Sequence, residues 1–267
     1  WAEQQKLTAS DGAAGDLFGV SVAIGGDTVV VGAFYDTIGA NARQGAAYVF
    51  VRSGTVWTQQ QKLTASDGAA NDYFGRSVAI NDDMVVVGAY QSDIGANAAR
   101  GSAYVFVRNG GVWTQQQKLT ASDGAANDFF GESVAISSDT VVVGADMDNI
   151  GGNAMQGSVY VFVRSGTTWT QQQKLTASDG AANDQFGYSV GISGDTVIIG
   201  APGDDIAANS LQGSAYVFVR SGTAWTQQQK LTASDGADSD EFGLSVAISG
   251  DTVVVGAWFD SIGANSY

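Results

Sequence analysis

Large and small side chains alternate with a period of two along most of the chain, and no segment shows the 3.6-residue period of an amphipathic helix. Phe74 to Ile80 alternates large residues with Gly, Ser and Ala, which predicts a strand with one small-residue face. Asn81 to Asp83 predicts a tight turn. The nearly all-apolar Met84 to Ala89 then predicts a second strand that is buried on both faces.

The same unit continues with a longer loop and two more strands. The loop, Tyr90 to Arg100, is rich in Gly, Asn, Asp and Ala, and Ala103 to Arg108 predicts the third strand. A short glycine turn leads to the fourth strand, Trp113 to Leu119, and Thr120 to Asp128 connects it to the next unit. We name the four strands A to D in chain order. Together they predict one four-stranded antiparallel meander per unit.

The unit recurs five times at an interval of 56 residues, without insertion or deletion. The copies begin at Phe18, Phe74, Phe130, Phe186 and Phe242. Four-stranded sheets repeated in this way predict an all-β fold, a β-propeller. Its repeat units start near residues 1, 57, 113, 169 and 225, and we expect residues 1–267 to form one propeller domain. The polar, lysine-bearing strand D suits an outer sheet edge, and the tryptophan that opens it is predicted to pack between blades.

Two short motifs frame strands A and B of every copy. In the fourth copy they are Phe186-Gly187 and Gly200-Ala201-Pro202, and the other copies keep Phe-Gly and Gly-Ala but replace the proline. This arrangement resembles the FG-GAP repeat, the unit of the integrin α-subunit propeller and of many bacterial secreted proteins. The resemblance covers essentially the whole chain. It implies an extracellular or cell-surface protein that binds through the D–A and B–C loops, with calcium sites in Asp-rich loops between strands A and B.

The number of strands does not match five complete blades. Strands A, B and D occur five times, strand C occurs four times, and Trp1 to Leu7 has the sequence of a strand D. One interpretation is a five-bladed ring whose last blade lacks its third strand and is closed by residues 1–7. A second is an excerpt of a longer array, since similar family members commonly have seven blades. A third is self-association through this incomplete closing blade, with a neighbouring chain supplying the missing strand.

Composition narrows the chemistry that the chain could perform. The 267 residues are 44% hydrophobic, include no cysteine and no histidine, and carry a formal net charge of −15. These values exclude thiolate chemistry and histidine bases, and the acidic surface predicts no nucleic-acid partner. No apolar run approaches a membrane span, so no membrane insertion is expected. The only glutamates are Glu3, Glu132 and Glu241, no facing carboxylate pair stands out, and we expect no enzymatic activity.

The A–B turns lack the acidic residues that the resemblance implies. They contain one or two carboxylates, as in Asn81-Asp82-Asp83 and Ser193-Gly194-Asp195, whereas a hard cation needs several oxygen ligands from one loop. We therefore predict that these aspartates form turns, with no metal and no cofactor. The D–A loop, Asp67 to Asp72, could hold a weak cation, although capping of the turn backbone is the favoured interpretation.

The five copies differ mainly just before Phe-Gly, just after it, after Gly-Ala, and before strand C. In an antiparallel meander these four places lie at the same end, so they predict a variable rim formed by the D–A and B–C loops. Exposed aromatic and charged side chains on such a rim would suit recognition. The candidate ligand-binding residues are Phe34, Tyr35, Tyr73, Arg76, Tyr90, Phe129, Glu132, Asp146, Tyr188, Trp258 and Phe259.

Two functional hypotheses follow from these patterns. The first is an extracellular recognition or adhesion module for a protein or carbohydrate ligand, with a lectin as its sharpest version. The second is a structural repeat scaffold, engineered or recently amplified, that has no ligand of its own. The near-identity of the copies favours the second hypothesis, and neutral variation in tolerant loops would explain the same differences at the rim.

Overall fold

The computed structural model describes residues 2–260, whose regular elements are strands grouped into five sheets. We call each sheet a blade and number the blades in chain order. Blade 1 contains β1 (Val22–Gly25), β2 (Thr28–Ala33), β3 (Ala46–Ser53) and β4 (Val56–Leu63), and blade 2 contains β5 (Val78–Asn81), β6 (Met84–Ala89), β7 (Ser102–Asn109) and β8 (Val112–Leu119). Blade 3 contains β9 (Val134–Ser137), β10 (Thr140–Ala145), β11 (Ser158–Ser165) and β12 (Thr168–Leu175), and blade 4 contains β13 (Ser189–Ser193), β14 (Thr196–Ala201), β15 (Ser214–Ser221) and β16 (Ala224–Leu231). Blade 5 contains β17 (Phe242–Ser249) and β18 (Thr252–Ala257).

Neighbouring strands pair antiparallel in chain order within every blade, which confirms the predicted meander. Strand B of blade 2, β6, has the predicted limits and is buried on both faces. Strand A is shorter than predicted, because β5 begins at Val78 instead of Phe74. Gly75 adopts φ = +95°, and its N–H bonds to Gly88 O at 2.9 Å, so the backbone turns before the ladder begins. In blades 1 to 4 the Phe-Gly motif is therefore a turn at the entrance of strand A, whereas β17 of blade 5 includes it.

The hydrophobic core lies between the blades. Val30 of β2 shares one buried cluster with Val85 and Val87 of β6 in the next blade. Strands A contact each other across blades, β1 with β5, β5 with β9, β9 with β13 and β13 with β17, so they occupy the predicted inner position. Trp113 is 2% exposed, and its indole N–H donates to Gln60 Oε1 of blade 1 at 3.0 Å. This contact confirms that the strand-D tryptophans pack between blades.

Two glycines set the distance between adjacent blades. A Cβ on Gly32 would lie 2.0 Å from the backbone oxygen of Gly75, in the Phe-Gly motif of the next blade. The same oxygen accepts a hydrogen bond from Ser21 Oγ at 2.8 Å. The N–H of Phe74 donates back to Gln44 O of blade 1 at 2.8 Å. The Gly-Ala and Phe-Gly motifs are thus the two sides of one blade–blade junction, which explains why every copy keeps both.

Closure of a five-bladed ring by the N-terminal strand, one of the three interpretations of the sequence, is not made by hydrogen-bonded strand pairing within residues 2–260. Residues 2–9 form no strand, and their contacts are with blade 1, where Gln5 Nε2 donates to Trp57 O at 2.9 Å. Gln61 and Trp113 make the equivalent contact between blades 1 and 2, at 2.7 Å. The segment therefore docks on the blade that follows it in the chain, because its glutamines match the tryptophan of that blade.

Blade 5 agrees with the prediction that the last blade lacks a third strand among the described residues. β17 pairs with β18, whereas Trp1 and residues 261–267 lie outside the described part of the chain. Within residues 2–260, no hydrogen-bonded ladder joins blade 5 to blade 1. The blades form a propeller-like series that is not closed by hydrogen bonds.

Candidate functional site

The variable rim lies where strand A begins and strand B ends, and its backbone is held by the neighbouring blade. The residue before Phe-Gly has a positive φ in every copy. These residues are Leu17 (φ 56°), Tyr73 (57°), Phe129 (59°), Gln185 (56°) and Glu241 (54°). The left-handed region is uncommon for residues other than glycine. A local turn accompanies this conformation in every copy, as where the N–H of Arg76 donates to Tyr73 O at 3.2 Å, and in blade 2 the N–H of Tyr73 also donates to Arg43 O of blade 1 at 3.2 Å.

Five of the predicted aromatic residues form a continuous row across the first three blades. The ring centroids lie 4.5 Å apart for Phe34 and Tyr35, 5.4 Å for Tyr35 and Tyr73, 5.5 Å for Tyr73 and Tyr90, and 5.3 Å for Tyr90 and Phe129. Tyr73 and Tyr90 are stacked, and Tyr90 meets Phe129 edge to face. We call these five residues the aromatic row. The structure thus brings together residues that are 95 positions apart in sequence, as 129 − 34 shows.

Three predicted charged residues meet beside the aromatic row and form what we call the polar cluster. Arg76 of blade 2 pairs with Glu132 of blade 3 through Nη2 and Oε1. Asp146, at the end of strand B of blade 3, is 2% exposed, and its Oδ1 has no hydrogen-bond partner. Burial raises the pKa of Glu132 to about 8 and that of Asp146 to about 7, since the positive charge of Arg76 offsets only part of the desolvation. Tyr188 lies next to this cluster. Its pKa is raised, mainly by burial and to a smaller extent by the negative charge of Glu132.

The expectation that the rim residues are exposed is wrong for four of them. Phe34 and Tyr73 are 9% exposed, Glu132 is 8% exposed and Asp146 is 2% exposed, because the adjacent blade covers them. Partly exposed side chains remain at Tyr35, Arg76, Tyr90, Phe129 and Tyr188. The sequence pattern identifies which residues gather at the rim but not how deeply the next blade buries them.

Trp258 and Phe259 are the most exposed members of the predicted set. Their rings stack on each other at 5.6 Å, and the two side chains are 68% and 45% exposed. They follow strand B of blade 5. The same position in each preceding blade is covered by the blade that follows it. Their exposure therefore reflects an uncovered blade face.

The acidic turns at the opposite end are occupied by ion pairs. Asp83 Oδ1 accepts from Arg108 Nε at 2.6 Å, and the same aspartate–arginine pair recurs in blades 1 to 4. In the D–A loop, Asp72 Oδ2 accepts from the N–H of Ala69 at 2.7 Å, which is the capping role predicted for it. Within residues 2–260, no group of three or more acidic residues could hold a metal ion. The absence of a metal cofactor stays a prediction.

A groove lies at this opposite end, between blades 1 and 2. It has a volume of about 710 Å³ and is lined by the A–B turns and by Arg52 and Arg108. A smaller groove of about 330 Å³ occupies the same place between blades 3 and 4. Both arginines of the larger groove already pair with Asp27 and Asp83, so the groove is built from the scaffold's repeated ion pairs.

Sequence reasoning missed a buried lysine network that recurs in three blades. Lys174 Nζ lies 2.7 Å from both Asp123 Oδ2 and Asp148 Oδ2, and the side chain of Asp148 is 8% exposed. Asp148 also accepts hydrogen bonds from Ser158 Oγ at 2.6 Å and from the hydroxyl of Tyr160 at 3.1 Å. The available signal was an aspartate four residues after the glycine of Gly-Ala, which is replaced by serine in the second copy alone.

The four-stranded blades, the glycine junctions between them and the inner position of strand A define a β-propeller-like repeat protein. This chain belongs to the FG-GAP repeat family, whose repeat matches it five times, over residues 1–50, 57–106, 113–162, 169–218 and 225–266. The family is in general non-enzymatic. Among solved structures, the crystal structure of the computationally designed Ika4 protein aligns over 81% of this chain and 99% of its own length, with 16% identity and a TM-score of 0.46. Residues 2–260 include no helix long and apolar enough to cross a membrane.

The polar cluster makes the stability of the protein depend on pH. Folding raises the pKa values of Glu132 and Asp146 above their ordinary values of 4.5 and 3.8, so between those values and pH 8 the folded chain holds protons that the unfolded chain has released. The free energy of unfolding is therefore expected to fall between pH 5 and pH 8, by about 3 kcal/mol for Glu132 alone at about 1.4 kcal/mol per pH unit, with a further fall from Asp146 up to pH 7. Urea denaturation at a series of pH values measures this slope.

Glu132→Gln is expected to remove a large part of this slope and to raise the stability at pH 8, because the amide has no proton to lose. Glu3→Gln is the matched control, since Glu3 is exposed. Equal slopes for the wild type and the Glu132→Gln variant would contradict the role of the polar cluster.

Proposed function

We propose that this chain is a non-enzymatic extracellular recognition or adhesion module that binds a protein or carbohydrate through the rim formed by the D–A and B–C loops. The observation that carries this proposal is the aromatic row. Tyr35, Tyr90 and Phe129 remain partly exposed within it, while Phe34 and Tyr73 fix it from below. A row of held rings offers contact area at a low cost in side-chain entropy.

The chemistry of the row favours a ligand with flat apolar faces and hydroxyl groups. Tyrosine rings pack on the apolar faces of sugars or on aliphatic side chains, and their hydroxyls donate and accept hydrogen bonds. Arg43 lies over the ring of Tyr35 at 5.0 Å and adds a cationic group at the edge of the row. The net charge of −15 opposes phosphate-rich ligands, so a glycan or a protein surface is the expected partner and nucleic acid is not.

The second candidate is a structural repeat scaffold without a ligand of its own. The burial of Phe34, Tyr73, Glu132 and Asp146 favours this candidate, because buried rim residues pack one blade against the next instead of facing a ligand. In this case the residues that differ between copies make each blade fit its own neighbour, and they have no role in recognition.

The two candidates differ in what happens when exposed rings of the aromatic row are removed. We expect a glycan array and a panel of immobilised extracellular proteins to yield a ligand whose affinity falls at least ~10-fold in the Tyr35→Ser, Tyr90→Ser double variant. The double variant should keep its β-sheet circular dichroism. Val112→Ser is the matched control, because Val112 is 55% exposed on the outer strand β8, far along the blade from the rim.

The same assay, repeated with calcium and with a chelator, tests the expectation that no metal takes part. Equal binding in both buffers is expected. The absence of any ligand, or binding that is unchanged in the double variant, would leave the scaffold as the correct description.

A further inference from the structure

The first blade presents an exposed apolar face whose counterparts in the later blades are buried or half-buried. Val22 and Ile24 of β1 are each 67% exposed. The corresponding residues of blade 3, Val134 and Ile136, are 8% and 9% exposed, because blade 2 packs against them. Val20, at the rim end of the same strand, is 46% exposed. We call Leu17, Val20, Val22 and Ile24 the leading face.

The last blade presents the complementary surface. Val254 of β18 is 66% exposed, whereas the residues at this position in blades 1 to 4 are fully buried by the next blade. Those residues are Val30, Val86, Val142 and Ile198, each 0% exposed. Trp258 and Phe259 stand exposed at the rim end of this surface, beside a shallow cavity of about 430 Å³ that also includes Leu244. We call Val254, Gly256, Trp258 and Phe259 the trailing face.

The two faces are the two halves of a junction that the chain builds four times internally. At each internal junction a serine hydroxyl of one blade donates to the Phe-Gly backbone oxygen of the next, as Ser133 Oγ does to Gly187 O at 2.7 Å. Ser245 of blade 5 and Gly19 of blade 1 hold the same two positions, and a Cβ built on Gly19 would meet nothing within 4 Å. The donor side and the acceptor side of a fifth junction are therefore both present and separate.

The variable rim residues of the two faces also match each other. In the first junction Phe34 of blade 1 packs on Tyr73 of blade 2 at 5.9 Å, and the corresponding residues at the ends are Trp258 and Leu17. At the next rim position the blades that follow the four internal junctions carry Arg76, Glu132, Tyr188 and Leu244, so two of these junctions place a charged residue there. The leading face instead carries a valine there, so an apolar edge faces the stacked rings of the trailing face.

We propose that the trailing face of one copy binds the leading face of a second copy, in the geometry of the internal blade–blade junction. A second copy is the occupant that fits, because it supplies the same strand, the same Phe-Gly turn and the matched apolar rim. The two faces belong to the same chain, but no hydrogen-bonded ladder joins them within residues 2–260. One copy therefore does not cover its own faces by closing the ring through strand pairing. Because the contact is head-to-tail, each added copy presents a new free face unless the assembly closes into a ring. This self-association does not depend on the proposed recognition function.

Sedimentation velocity over a concentration series up to about 100 µM tests the proposal on the full chain. The wild type is expected to shift from monomer to larger species as concentration rises. Ile24→Asp, which breaks the leading face, and Val254→Asp, which breaks the trailing face, should each weaken self-association at least ~100-fold, since each places a charge at the centre of an apolar contact.

Mixing the two variants gives the decisive result. Each variant keeps one intact face, so an equimolar mixture of Ile24→Asp and Val254→Asp should form a 1:1 heterodimer that cannot grow further. Association through a symmetric patch or through nonspecific apolar contact would not be restored by mixing. Both side chains are about two-thirds exposed, so both variants should keep the circular dichroism of the wild type.

Val112→Asp is the control for an added surface charge on an exposed valine and should associate like the wild type. The proposal is overturned by a wild type that stays monomeric at every concentration. A mixture of the two face variants that stays monomeric while the wild type associates would also overturn it.

Discussion

Gly144→Ala is expected to lower the free energy of unfolding by about 3 kcal/mol, although it adds a single methyl group. A Cβ at this position would lie 2.0 Å from the backbone oxygen of Gly187 and 2.3 Å from Ser133 Oγ. That oxygen belongs to the Phe-Gly turn of blade 4 and cannot move without separating the two blades. Overpacking in a well-packed core usually costs about 1–3 kcal/mol, and the upper end is expected here because the nearest partner is a backbone oxygen of the next blade.

Gly256→Ala is the matched control, because Gly256 has the same place in blade 5. There the added Cβ would meet only Ser245 Oγ, at 2.5 Å, and that exposed hydroxyl can rotate away. We expect its effect to stay within about 0.5 kcal/mol. Urea denaturation at concentrations where the chain is monomeric measures both variants. Native-state hydrogen exchange should show faster exchange in blades 3 and 4 for Gly144→Ala alone, since repeat proteins open locally. Similar losses in the two variants would show that the junction does not depend on the close approach of the glycines.

The contrast between these two glycines shows what the sequence pattern could and could not predict. The period of two and the 56-residue repeat predict the strands well, and β6 has the predicted limits. Gly144 and Gly256 stand in the same strand sequence, Thr-Val-Val-Val-Gly-Ala, but only the structure shows which of them faces a neighbouring blade. Local patterns determine a blade, whereas the arrangement of blades depends on a small rotation that is repeated at each junction.

The sequence left the role of the N-terminal segment open among alternatives for the same reason. Its glutamines are those of a strand D, and they contact Trp57 of the blade that follows, as strand D does at the internal junctions. Closure of the ring requires the accumulated rotation of all blades to bring the two ends together, and no single residue encodes that angle. The rim was predicted in position because antiparallel pairing determines which strand ends meet. Its burial was not predicted because burial depends on how closely Tyr73 or Glu132 approaches the next blade.

Lys174→Met is expected to cost about 3 kcal/mol at neutral pH, because it leaves Asp148 buried without a cationic partner. Lys174 lies 2.7 Å from the carboxylates of Asp148 and Asp123, and the side chain of Asp148 is only 8% exposed. Burial of Lys174 opposes its charge, but the hydrogen bonds that Lys174 donates to these two carboxylates outweigh burial and raise its pKa. Because the folded state raises this pKa, the contribution of the ion pair is fully present at neutral pH and is lost only in strongly alkaline solution.

Blade 2 supplies the matched control. Lys118 pairs with Asp67 alone, whose side chain is 51% exposed, and the place of Asp148 is taken by Ser92, which hydrogen-bonds Ser102 Oγ at 2.7 Å. Lys118→Met should therefore cost no more than about 1 kcal/mol, because water can solvate the carboxylate that remains.

The double variant Lys174→Met, Asp148→Ser separates the two contributions to the cost of Lys174→Met. It gives blade 3 the serine of blade 2 and removes the uncompensated carboxylate. We expect it to recover at least half of the stability that Lys174→Met loses, as measured by urea denaturation. If the double variant is as unstable as the single variant, the loss comes from the packing of the lysine side chain over Tyr160, which lies 5.1 Å from its Nζ, and not from the buried charge. Packing of the lysine side chain, and not the ion pair with Asp148, would then be what stabilises this part of blade 3.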